Sequence, residues 1–176
     1  ISGYLMTRIV IEGISRGQPG RGWLLGFYLA RARRIIPALL FLCIVLLGIG
    51  WFVLPSSDYR QLATHGFTAV AFLSNIQFWR ESGYFDAASH EKWLLHTWSL
   101  SVEWQFYLLF PLLLLLAWKL LANQWYITIL IAIGFVLSLS LSVGLTAWFP
   151  SAAFFLLPTR AWEMLAGGLV WLLADK

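Results

Sequence analysis

From Leu120 to Thr159 the chain carries no charged residue, and a second charge-free stretch runs from Ile35 to Ser57. A soluble fold has no place for apolar runs of this length, whereas about 20 apolar residues suffice to carry a helix across a bilayer. Composition agrees: 60% of the 176 residues are hydrophobic and only 11% are charged, against about 25% charged in ordinary soluble domains. Mean hydropathy is +0.77, which also excludes disorder, since disordered chains are poor in apolar residues. The runs are continuous, whereas the strands of a membrane barrel alternate apolar and polar residues. The expected fold class is therefore all-α, a polytopic α-helical integral membrane protein, with room for about six spans.

The opening Ile1-Ser2-Gly3-Tyr4-Leu5-Met6 has neither an initiator Met nor a charged n-region and reads as the tail of a helix. The last residues, Trp171 to Lys176, leave an apolar segment just as it emerges. One partial membrane domain, 1–176, cut at both ends, is the expectation.

Between those ends, residues 1–11 finish a membrane segment. Residues 12–34 form a basic connection broken by Gly13, Gly17, Pro19, Gly20 and Gly22. Residues 35–54 make a full span that stops at Pro55, and 55–61 a polar turn. Residues 62–79 are apolar but interrupted by His65, Ser74, Asn75 and Gln77, and either span or re-enter. A mixed polar loop over 80–98 leads to spans at 99–121 and 125–146. An aromatic loop over 147–158 leads to a last helix at 159–174, with Thr159 placed to cap it.

Arg8, Arg16, Arg21, Arg31, Arg33 and Arg34 face a single acid, Glu12, within residues 8–34, whereas the whole chain nets only +4. Lys and Arg collect in short cytoplasmic loops, so 12–34 is expected inside and 55–61 outside. Eleven tryptophans, many at span ends, are read as an interfacial aromatic belt. Cys43 is read as a small core residue. His65, His90 and His96 lack metal-ligand spacing, and no metal site is expected.

Chemistry concentrates in three places. Leu94-Leu-His-Thr-Trp-Ser-Leu-Ser-Val-Glu-Trp-Gln-Phe-Tyr107 sets His96, Ser99, Glu103 and Tyr107 along one helical face at the mouth of an apolar segment. A carboxylate near hydrocarbon is costly unless paired, which suits Glu103 to general-acid or proton-relay work. A favourable position at the helix N-terminus accounts for it equally well. Arg31 and Arg34, three residues apart, form a fork suited to phosphate, although a basic anchor on anionic lipid fits their composition better. Arg160 and Glu163 can pair at i, i+3, and Gly167 and Gly168 allow a neighbouring helix to come close.

The string HTWSLSVEWQFYLLFP resembles the signature of the membrane acyltransferase family 3, the bacterial O-acyltransferases of sugars and polysaccharides. ISGYLMTR, FYLARARRIIPAL, FLSNIQFWRESGYFDA and LPTRAWEMLAGGL resemble the same family in the same order. The resemblance implies transfer of an acyl group, usually acetyl, from cytoplasmic acyl-CoA to a hydroxyl of a cell-surface glycan or glycolipid. It implies a multi-pass protein of the bacterial inner membrane, in contact with lipid, with acyl-CoA (acetyl-CoA) as donor substrate, no permanent cofactor and no nucleic-acid partner. Arg31 and Arg34 match the family's cytoplasmic Arg-x-x-Arg motif and become candidates for acyl-CoA binding. His96, Glu103 and Tyr107 match the central signature, and Arg160 and Glu163 a later motif; these five are the catalytic candidates. Some members carry Glu where this chain has Trp104. The family's candidate catalytic histidine belongs to an Arg-x10-His motif that would precede Ile1, so His96 is not assigned as the base. A transporter or flippase for a lipid-linked sugar would spread charges to mid-membrane on broken helices, and a non-catalytic scaffold is the third reading.

The charge asymmetry makes a direct prediction. Cysteines introduced singly at Gly17 and Ser57 should react with impermeant thiol reagents from opposite sides of the membrane. Labelling from one side only would refute the orientation.

Overall fold

The computed structural model describes residues 2–15, 21–82, 92–121 and 123–174. Among these there are eight helices and no strand: α1 (Ser2–Ser15), α2 (Arg21–Val53), α3 (Ser56–Val70), α4 (Ser74–Glu81), α5 (Thr97–Leu121), α6 (Gln124–Thr146), α7 (Pro150–Phe155) and α8 (Leu157–Ala174). Three are long and apolar enough to cross a membrane: Gly22–Val53 of α2, α5 and α6. The protein is an all-α, multi-pass membrane protein. Its helices pack as two compact units, Gly26–Trp104 and Ile1–Leu25 with Gln105–Lys176.

α2 has 33 residues, roughly 50 Å at 1.5 Å per residue, against about 30 Å of hydrocarbon. Much of the expected basic connection is therefore helix, starting at Arg21. Gly17, Pro19 and Gly20 lie outside the described residues. Counted back from Val53, about 30 Å of helix ends near Arg34, so the arginines fall where a span gives way to the interface. Pro37 lies inside α2 and offers no N–H to the Arg33 carbonyl. α5 likewise holds Pro111.

The segment 62–79 does not form one helix. α3 begins at Ser56, inside the expected turn, and stops at Val70. Its 15 residues reach only about 22 Å, too short to cross alone. The stop is a Schellman cap: Leu73 N–H donates to Thr68 O (2.8 Å) and Phe72 N–H to Ala69 O (3.0 Å). Such caps place a residue in the left-handed region, usually glycine, but here it is Phe72, at φ 56°. A side chain there costs roughly 1–2 kcal/mol. The ring offsets this by packing: Phe72 is buried with Leu39, Cys43, Leu62, Ala69 and Leu94 and stacks on Trp104 at 4.4 Å and 14°. Cys43 is a free, buried thiol.

In the other unit α8 packs on α1, α6 and α7. A Cβ on Gly3 would collide with the Met164 carbonyl, one on Gly167 would lie 2.9 Å from Tyr4 N, and one on Gly168 2.6 Å from Thr7 Oγ1. Gly167 and Gly168 thus admit a close neighbour as the sequence suggested, and that neighbour is α1. Ser138 of α6 joins α8 through its hydroxyl, which donates to Pro158 O (2.6 Å) and accepts from Trp162 N–H (2.9 Å). α6 is capped by the Asn123 side chain, which accepts from Trp125 N–H at 2.9 Å.

Two boundaries differ from expectation for local reasons. The aromatic loop contains the short helix α7. α8 starts at Leu157, so Thr159 is within the helix rather than its cap, and its hydroxyl donates to Leu156 O at 2.8 Å. Pro158 fits the first turn because no N–H is required there.

The strained cap predicts an inverted substitution order. Phe72→Ala loses the stack and keeps the left-handed strain, whereas Phe72→Gly loses the stack and relieves it. Thermal unfolding in detergent should rank the parent first, Gly second and Ala third; an Ala variant more stable than the Gly variant would contradict this account.

Candidate functional site

The Gly26–Trp104 unit holds most of the sequence-predicted site. Arg31 is half-buried on α2 with its guanidinium 5.7 Å from the centre of the Phe27 ring. Arg34, one turn on, is exposed, and among the described residues no carboxylate pairs with it. Arg33 is also exposed. Arg34 stands at an open pocket of about 280 Å³, with Ile35, Ala38, Leu39 and Leu42 of α2 on one wall and His96, Thr97 and Leu100 on the other. Two residues chosen from separate motifs, Arg34 and His96, therefore share one mostly apolar pocket.

His96 does not belong to α5. It ends a tight turn over 92–96 and is exposed, while the helix begins at Thr97. Ser99 is exposed, its hydroxyl donating to the His96 carbonyl (3.1 Å). Glu103 is half-buried and Tyr107, one turn further along α5, is buried. Because α5 starts at Thr97, Glu103 stands in its second turn, and the first turn holds no acid. The helix-end field fades within the first turn, so the dipole does not by itself account for a carboxylate at this depth.

A buried hydrogen bond ties the WSLSVE stretch to the FLSN stretch. Ser74 and Ser101 share a hydrogen bond of 2.7 Å, and Asn75 beside it is 1% exposed. Of the FLSNIQFWRESGYFDA motif, residues 83–87 lie outside the described residues.

Arg160 and Glu163 are in the other unit. They form a close ion pair on successive turns of α8. The Arg160 Nε also donates to Phe154 O at 3.1 Å, and its guanidinium lies 4.9 Å from the Phe154 ring centre. This cation is held on three sides and fastens α7 to α8.

One constellation escaped the sequence reading. His65 of α3 is 2% exposed, and its Nε2 lies 2.9 Å from both oxygens of Glu81. Gln77 donates to Glu81 Oε1 at 2.7 Å, and Lys92 Nζ is 3.6 Å from Glu81 Oε2. In the sequence His65 reads as an interruption of an apolar segment without metal-ligand spacing. The available signal is the presence of Glu81 and Lys92, two of few charges, shortly after that segment.

A family model described as an acyltransferase domain matches residues 1–175. The chain belongs to this acyltransferase family. Relatives include a putative membrane-bound transacylase BcsY of Komagataeibacter xylinus, 35% identical over 98% of this chain and 42% of its own length. The peptidoglycan O-acetyltransferase OatA of Listeria monocytogenes is 30% identical over 97% of this chain and 28% of its own. An O-acetyltransferase OatA of Staphylococcus aureus is 38% identical over 65% of this chain and 18% of its own. The chain thus spans less than half the length of each of these acyltransferase relatives. No solved structure matches it.

Proposed function

We propose that this chain carries the donor side of a membrane-embedded transferase that moves an acyl group, usually acetyl, from acyl-CoA to a hydroxyl of a cell-envelope glycan or glycolipid in the bacterial inner membrane. The observation that carries the reading is Arg34, exposed and without an ion-pair partner among the described residues, at the rim of an apolar pocket that also presents His96 and Thr97. An anionic phosphate suits the guanidinium. A thioester arm and a short acyl group suit the aliphatic wall of Ala38, Leu39, Leu42 and Leu100. The excess of arginine over residues 8–34 supports a cytoplasmic position for this end of α2, where acyl-CoA would arrive.

The reaction adds the acceptor oxygen to the thioester carbonyl carbon and breaks the carbon–sulfur bond. The hydroxyl proton ends on the CoA sulfur. Glu103 is the proposed proton-handling group, on the strength of its half-burial below the first turn of α5. Tyr107 follows it along the helix as a further candidate. Arg160 and Glu163 are placed in a framing role, because their charges are spent on one another and on Phe154. The relatives named for O-acetylation, one of them of peptidoglycan, support an acetylated wall or surface polysaccharide as the product class.

The arginines supply a graded test in the full-length protein. Arg34→Lys keeps the charge but loses the planar fork, so the KM for acyl-CoA should rise roughly five- to thirtyfold, the change expected for about 1–2 kcal/mol of lost hydrogen bonding. Arg31→Lys should raise it less, since Phe27 already engages that guanidinium, and Arg33→Lys should be near silent. Three unchanged KM values would leave only a lipid anchor, for which charge and not geometry matters.

Glu103→Gln keeps shape and hydrogen bonding but removes the ionisable proton. Inserted, folded protein with acyl transfer lowered at least a hundredfold is expected, the scale of a general acid or base. Near-normal turnover would reduce Glu103 to a structural group.

A further inference from the structure

The His65–Glu81–Lys92 cluster is expensive for so apolar a chain. His65 and Lys92 are 2% and 6% exposed, and burying such groups costs several kcal/mol unless geometry and partners are good. Glu81 is also the last residue of α4, where the helix field disfavours a carboxylate. Local preference and burial both oppose it, so what the cluster supplies is a fixed geometry. Gln77 and His65 hold the carboxylate from α4 and α3, and Lys92, 5.9 Å from the Phe78 ring centre, is held beside it.

From Lys92 the chain has no slack. Leu95 N–H donates to Lys92 O and Thr97 N–H to Leu94 O, both at 3.0 Å, and Trp98 N–H to Leu95 O at 3.1 Å. The Thr97 hydroxyl donates to Leu94 O at 2.8 Å, and Leu94 is 1% exposed within the core. The residues that leave this turn, His96 and Thr97, are the wall facing Arg34 across the pocket.

We infer that Glu81 is a positioning residue: through Lys92 it fixes the turn that holds His96 and Thr97 against the Arg34 pocket. The inference rests on reading that pocket as the donor site, but the position of the wall can be tested apart from it. In the full-length protein with Cys43→Ala, Ala38→Cys places one thiol on the pocket wall. Its alkylation rate reports how open the pocket is, and the CoA concentration that half-protects it reports donor binding.

Glu81→Gln and Lys92→Met should each raise the alkylation rate several-fold and the half-protecting CoA concentration about tenfold, with a thermal midpoint close to that of the Ala38→Cys parent. Lys92→Arg, which can still reach the carboxylate, should restore both. A merely stabilising cluster would move the midpoint and leave half-protection unchanged, and that result overturns the inference. If Glu81→Gln does not accumulate, the Lys92→Met and Lys92→Arg pair decides on the same readouts. If CoA fails to protect even the parent thiol, the donor-site reading falls. The alkylation rate then still supports the positioning role if it rises with Lys92→Met and recovers with Lys92→Arg, and refutes it if it does not.

Discussion

Hydrocarbon offers no hydrogen-bond partner, so every backbone polar group carried into the bilayer must find one within the protein. Continuous helix settles this for most of the backbone, and the departures show how the remainder is handled. Pro37 and Pro111 interrupt the ladders of α2 and α5 without ending either helix. On α8 the Ser138 hydroxyl stands between the Pro158 carbonyl and the Trp162 N–H, an i, i+4 pair, and bonds to both. That insertion makes one polar side chain serve as a contact between α6 and α8 while leaving the helix intact. Where α3 stops, the carbonyls of Ala69 and Thr68 are answered by Phe72 and Leu73 N–H groups.

The same constraint explains why four of the chain's five recognisable stretches meet in contacting pairs. The FLSN and SLSVE segments meet through Ser74 and Ser101, two hydroxyls that satisfy one another in a buried position. Gly167 and Gly168 on α8 are small because Tyr4 and Thr7 of α1 lie against them, and Gly3 is small because it meets the Met164 carbonyl. Without a hydrophobic drive between helices inside lipid, close packing and shared hydrogen bonds do the work of association. In these two pairs each motif is half of an interface.

The sequence reading succeeded where a long apolar period decides the outcome. The all-helical membrane class, the α6 span and the span within α5 follow from runs of uncharged residues, and the Arg160–Glu163 pairing follows from helical spacing. It failed where tertiary contact overrides local preference. Nothing at position 72 announces a helix end, because the expected residue is glycine and a stacked phenylalanine stands there instead. Gly22 suggested a loop, yet α2 runs from Arg21. At the site, Arg34 was legible as a motif, but its sharing of a pocket with His96 depends on how α2 meets the turn before α5. The His65–Glu81–Lys92 cluster is assembled from α3, α4 and that same turn, and no periodicity joins positions so unevenly spaced.

Two arginines of one chain illustrate how structure separates a framing charge from an available one. Arg160 is met by a carboxylate, a carbonyl and an aromatic face; a ligand that needed its guanidinium would first have to displace bonds that hold α7 to α8. Arg34 has no ion pair to give up among the described residues and opens on a pocket whose floor is aliphatic. An anion reaching it trades hydration for a guanidinium without breaking the fold, and an apolar tail attached to that anion gains contact with Leu39, Leu42 and Leu100. A molecule that is phosphate at one end and apolar at the other is therefore better matched to this surface than either a simple anion or a neutral sugar.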